Sequence, residues 1–149
     1  MKKLWLLCCV ILLPACTITQ NIEPAEITKN AEICIIENPA VRAGFLKEYL
    51  SVLSSKRIAY KMVNVADVPE DCEWTSTYTA NWSWDLTIYM SYAEIKIFHK
   101  GSLDGQAIYD SRSGSSNMGK FIDAEPKVRE LVNQLMQFKS ASLFFRSYG

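Results

Sequence analysis

Apolar residues recur along this 149-residue chain with three different spacings, and the changes of spacing divide it into elements. Lys2 and Lys3 precede an unbroken apolar run, Leu4 to Leu13. Residues 17–31 are polar without a sustained period, which predicts a tether; fifteen residues reach at most about 50 Å. Ile33-Cys34-Ile35-Ile36 is the short apolar run of a buried strand, and Asn38-Pro39 supplies a cap residue and a first-turn proline for a helix starting there. Val41, Phe45, Leu46, Tyr49, Leu50 and Leu53 then form one helical stripe that ends at Ser54-Ser55-Lys56-Arg57. Ile58 to Val65 reads as a second strand, and Val68-Pro69-Glu70-Asp71 as a turn into Cys72.

Strict alternation follows. Trp74, Ser76, Tyr78, Ala80, Trp82 and Trp84 oppose Thr75, Thr77, Thr79, Asn81 and Ser83, giving a strand with an aromatic face and a hydroxyl face. Tyr89 to His99 is a further strand; Leu103-Asp104-Gly105 supplies a turn, and Gln106 to Ser111 completes a hairpin. Ser111 to Lys120 is a Ser/Gly-rich loop with no apolar run, expected to be exposed and mobile. Asp123 caps a last helix whose Val128, Leu131, Val132, Leu135 and Met136 fall at helical spacing. The order β-α-β-β-β-β-α predicts an α+β fold, a two-layer α/β sandwich in which two helices cover a mostly antiparallel sheet of about five strands.

Composition adds a compartment. The apolar run is too short to span a hydrocarbon layer of roughly 30 Å, and with its lysines it has the form of an export signal. Leu13-Pro14-Ala15-Cys16 resembles a bacterial lipobox, which implies lipidation of Cys16 and removal of residues 1–15. The expected organisation is signal peptide 1–15, lipidated cysteine and tether 16–31, and a single domain 32–149. Cleavage removes two of the 16 basic residues and none of the 16 acidic ones, leaving a net charge of −2, which argues against nucleic acid and against a polybasic membrane patch. Cys8 and Cys9 leave with the signal, so Cys34 and Cys72 remain. Two thiols in an exported chain predict a disulfide; the alternative is two separate buried thiols.

The chain resembles a family of small, uncharacterised lipoproteins of Gram-negative envelopes. The residues that carry the resemblance are Ile33 to Pro39, Cys72 to Ala80, Trp84-Asp85-Leu86, Tyr89 to Glu94 and the closing helix Glu125 to Met136. It implies a fold and a location without an assigned activity. Thr17 and Ile18 follow the cysteine where an Asp would signal inner-membrane retention, so the resemblance implies the periplasmic face of the outer membrane.

Candidate chemistry is sparse. His99 is the only histidine, at a strand end where a partly exposed structural residue is expected, and the acidic groups at Glu70-Asp71-Glu73 and Asp123-Glu125 flank a turn and a helix start. No phosphate loop, Gly-x-Ser-x-Gly or metal-spaced cluster occurs, so the expectation is a non-enzymatic accessory domain without cofactor or metal, contacting the membrane through Cys16 and an envelope protein as partner. Trp82, Trp84 and Asp85 offer a docking patch or a small-molecule or lipid groove, although an aromatic strand face is more simply the layer beneath two helices. Arg112, Met118 and Lys120 in the Ser/Gly loop form a second candidate contact, with a plain spacer as the alternative. The tail Leu143 to Tyr148 interleaves aromatics with Arg146, suited to a membrane surface, a partner or closure of the apolar layer.

Overall fold

A computed structural model of the protein describes residues 17–114 and 116–138. The segment read as an export signal, Cys16 and the tail Leu143 to Tyr148 lie outside them. The strands are β1 (Thr19–Glu23), β2 (Ala25–Ile27), β3 (Glu32–Ile36), β4 (Ala59–Val63), β5 (Trp74–Asp85), β6 (Thr87–His99), β7 (Ser102–Asp110) and β8 (Met136–Phe138). The helices are α1 (Ala43–Ser55) and α2 (Ala124–Leu135), with a 3-10 turn at Met118–Lys120. Six strands form one sheet in the order β1-β7-β6-β5-β3-β4, antiparallel from β1 to β5 and parallel among β5, β3 and β4. The α+β sandwich is therefore as the periodicity predicts, with α1 as the crossover between parallel β3 and β4.

The extra strand comes from the segment read as a tether. Thr19–Glu23 pairs with β7 at the sheet edge, where Ile22 is half-buried and its neighbours face water, so the strand has no apolar signature to betray it. Pro24 ends it. Ala25 and Ile27 are then fully buried, and β2 pairs in parallel with β8. The domain thus begins at residue 19, not 32.

Helix α1 also departs from expectation, starting at Ala43 rather than at Asn38-Pro39. Asn38 is engaged elsewhere: its Oδ1 accepts from the Ala40 amide at 3.1 Å, and its Nδ2 donates to the Tyr78 carbonyl at 3.0 Å. A side chain so tied to local backbone and to β5 holds a turn instead of capping a helix. Phe45, Tyr49, Val52 and Leu53 are the buried stripe, with Leu46 and Leu50 packed partly against it. Asp123 takes the cap position of α2 without a side-chain hydrogen bond, and Val128, Leu131, Val132 and Leu135 are buried as the spacing predicts. Arg129 ties the two helices through Glu48 at 2.9 Å.

Both helices cover one sheet face, supplied by Ile33, Ile35, Trp74, Tyr78, Ala80, Ala93, Ile95, Ile97, Ala107 and Tyr109. Tyr49 reaches across this layer to Ser76, oxygen to oxygen 2.6 Å, and complete burial pushes its hydroxyl pKa well above the ordinary tyrosine value. The β6–β7 turn falls at Lys100-Gly101, both at positive φ, rather than at Leu103-Asp104-Gly105. Gly105 lies inside β7 under β2, where a Cβ would stand 2.5 Å from the Ala25 nitrogen. Cys34 on β3 and Cys72 just before β5 form a disulfide with Cα atoms 6.1 Å apart, because β3 and β5 are neighbours in the sheet.

Candidate functional site

The aromatic alternation of β5 does not end where the core ends. Trp74, Tyr78 and Ala80 are buried, but β6 leaves β7 at the pair Tyr92–Asp110, and a bulge at Asn81/Trp82 bends the hairpin. Beyond it, Trp82 to Ser91 form a two-stranded overhang closed by a one-residue turn at Leu86. The tip is apolar and open: Trp84 is 75% exposed, Leu86 80% and Ile88 55%. Trp84 and Ile88 are direct cross-strand partners and so share one face of the hairpin. The expectation that the aromatic face is core thus holds for its first half only.

Trp82 is half-buried at the edge of the core, with the Arg42 guanidinium 4.8 Å from its ring. It lines a cleft of about 220 Å³ with Phe45, Ala124 and Val128. That is below the roughly 300 Å³ at which small-molecule sites usually begin, and Trp84 is not part of it. A larger cleft of about 460 Å³ lies past the ends of β3 and β4, lined by Asn38, Val41, Leu46, Asn64, Val65 and Tyr78 among others. His99 stacks on Trp74 with ring centres 4.2 Å apart, a half-buried strand-end residue as its position predicts. Among the described residues, no group of three His, Cys, Asp or Glu side chains could hold a metal.

The Ser/Gly loop is exposed as expected at residues 112–113 and 116–119, but not at three positions. Ser111, Gly114 and Lys120 are buried, and Ser111 donates to the carbonyls of Met90 and Ser91 on the overhang. The loop is thus packed along the edge of β6 that β7 leaves uncovered. Lys120 offers no surface contact: its ammonium binds the Asp85 carboxylate at 2.5 Å and lies 5.4 Å from the Tyr89 ring. Arg112 remains at the surface, held by Asp110 through Nε at 2.9 Å and stacked 4.4 Å over Tyr92. Its guanidinium, by hydrogen bonding, holds the Asp110 carboxyl below the usual carboxylate range. Met118 is 71% exposed. The structure therefore brings Asp85, Tyr89 and Lys120 together and leaves Arg112 in a separate pairing.

The fold resembles that of PelC. The PelC dodecamer from Paraburkholderia phytofirmans superposes with a TM-score of 0.52 at 12% identity, over 81% of this chain and 99% of that one. A point variant of PelC, also a dodecamer, gives 0.52 at 9% identity over 80% and 94%. The likeness to PelC is one of fold. No protein-family model and no curated protein sequence matches the chain.

Leu86 and Ile88 escaped the sequence reading. Their signal was present in Trp84-Asp85-Leu86-Thr87-Ile88, a hairpin turn with no Gly, Asn or Pro in it.

Proposed function

We propose that this chain is a lipid-anchored envelope protein, held at the periplasmic face of the outer membrane through Cys16, whose α/β domain is a non-enzymatic accessory module that assembles with other envelope protein. The observation that carries the reading is the Cys34–Cys72 disulfide in a chain whose first residues have the form of an export signal. Disulfides persist in oxidising compartments, and the two features point to one side of the membrane. The lipobox-like Leu13-Pro14-Ala15-Cys16 supports attachment through lipid. The non-enzymatic part of the reading rests on the one histidine, His99, being stacked on the Trp74 indole.

For the partner, further copies of the same chain are favoured, because both PelC structures of this fold are dodecamers. Replacing Cys16 by Ser should abolish incorporation of labelled fatty acid and release the domain from the membrane fraction; unchanged labelling overturns the anchor. Crosslinking in intact cells, followed by mass analysis of the extracted protein, should give multimers or one recurrent envelope partner. A monomer with no crosslinked product overturns the accessory role.

A further inference from the structure

The correction of the tether changes where the domain must sit. If Cys16 carries lipid, only Thr17 and Ile18 separate it from the first strand, and the three steps from Cys16 to Thr19 span at most about 11 Å. Strand β1 enters the sheet with Thr19 opposite Asp110, at the end where Asp110 is also paired with Tyr92 and the overhang begins. Ile18 lies against the loop at the same end: a Cβ on Gly114 or Gly119 would meet its side chain at 3.2 or 3.5 Å. Gly119 precedes Lys120, which is bound to Asp85 in the hairpin. Chain entry, loop and hairpin tip are thus joined in one structure.

We propose that the tip of the β5–β6 hairpin, Trp84, Leu86 and Ile88, inserts into the membrane interface beside the lipid on Cys16, so that the domain is held at two points in one orientation. This rests on the lipid-anchor reading above. Three observations single out a bilayer as the occupant. The side chain at the turn is Leu86 at φ 62, a left-handed backbone that disfavours a bulky residue, and it is exposed as well; water alone would favour Gly or Asn there. Asp85 is the only charged residue from Trp82 to Tyr89, and Lys120 neutralises it, so the tip carries no net charge into the headgroup layer. Trp84 with Tyr89 behind it gives the order of an apolar tip followed by an amphipathic ring, which suits the depth profile of an interface. A polar tether would have left the hairpin free of the membrane; two residues do not.

The test uses full-length lipidated protein, extracted and reconstituted into phosphatidylethanolamine/phosphatidylglycerol vesicles with brominated acyl chains, which quench indoles within the bilayer. Quenching and a blue shift relative to detergent-free, vesicle-free protein are expected, and Trp84→Phe should lose most of both while still floating with the vesicles. Leu86→Asn, which keeps the turn geometry and removes the apolar side chain, should weaken quenching of Trp84. Quenching that depends on Trp84 supports insertion whether or not Cys16 labels with fatty acid. Flotation without Trp84-dependent quenching overturns insertion and leaves the anchor standing. An emission already blue-shifted without vesicles, in a particle of multimeric mass, overturns it in favour of a tip covered by a second copy.

Discussion

Reducing the Cys34–Cys72 bond should cost about as much stability as a large-to-small substitution in the core, and the size follows from the length of the loop it closes. The two residues are 38 apart in sequence. In the chain-entropy model a loop of that length removes denatured-state freedom equivalent to about 4 kcal/mol at room temperature. With an unfolding entropy of about 2.1 cal/mol/K per residue over roughly 120 residues, that loss lowers Tm by about 15 °C. Thermal unfolding followed by far-UV circular dichroism, with and without reductant, reads the difference. The Cys34→Ala/Cys72→Ala variant controls for reductant and should match the reduced wild type to within the small cost of truncating buried Cys34. The urea m-value should rise on reduction, because the freed denatured chain exposes more surface. A Tm change below about 4 °C, or an unchanged m-value, would show that the bond does not constrain the denatured chain and would refute the argument.

Two buried tyrosines should respond with opposite sign to loss of the hydroxyl: Tyr49→Phe strands Ser76 and should cost about 1–3 kcal/mol, whereas the Tyr109 hydroxyl is buried with no hydrogen-bond partner, so Tyr109→Phe should be neutral or stabilising by about 1 kcal/mol in urea titrations. Gly105→Ala should cost about 1–3 kcal/mol by pushing Ala25 off the sheet, with faster amide exchange at Ala25–Ile27 as the local sign. Asp110 and Glu130 have lowered pKa values, chiefly through hydrogen bonds from Arg112 and Lys127, so their contribution is complete above the ordinary carboxylate range and is lost as pH falls through it towards their folded values. The urea midpoint should therefore drop below about pH 4, and Asp110→Asn with Glu130→Gln should flatten that acid limb; an unchanged limb counts against both pairings.

The sequence by itself determined what depends on local period and on counting. Alternation from Trp74 to Ala80 fixed β5 and its buried face and helical spacing fixed the stripe of α2, because burial on one side of an element leaves a periodic trace, while the cysteine count pointed to the Cys34–Cys72 disulfide. What only the tertiary structure decided is what that trace omits. Thr19–Glu23 is a strand because β7 offers it an unpaired edge, and backbone pairing needs no apolar side chain. Asn38 holds a turn rather than starting a helix because the Tyr78 carbonyl stands within hydrogen-bond reach. Lys120 is buried because Asp85, 35 residues away, projects from a hairpin that outruns its neighbours. Alternation likewise could not say where the sheet stops: Tyr78 and Trp84 carry the same pattern, and only the length of β7 and the reach of the helices make one core and the other an exposed tip.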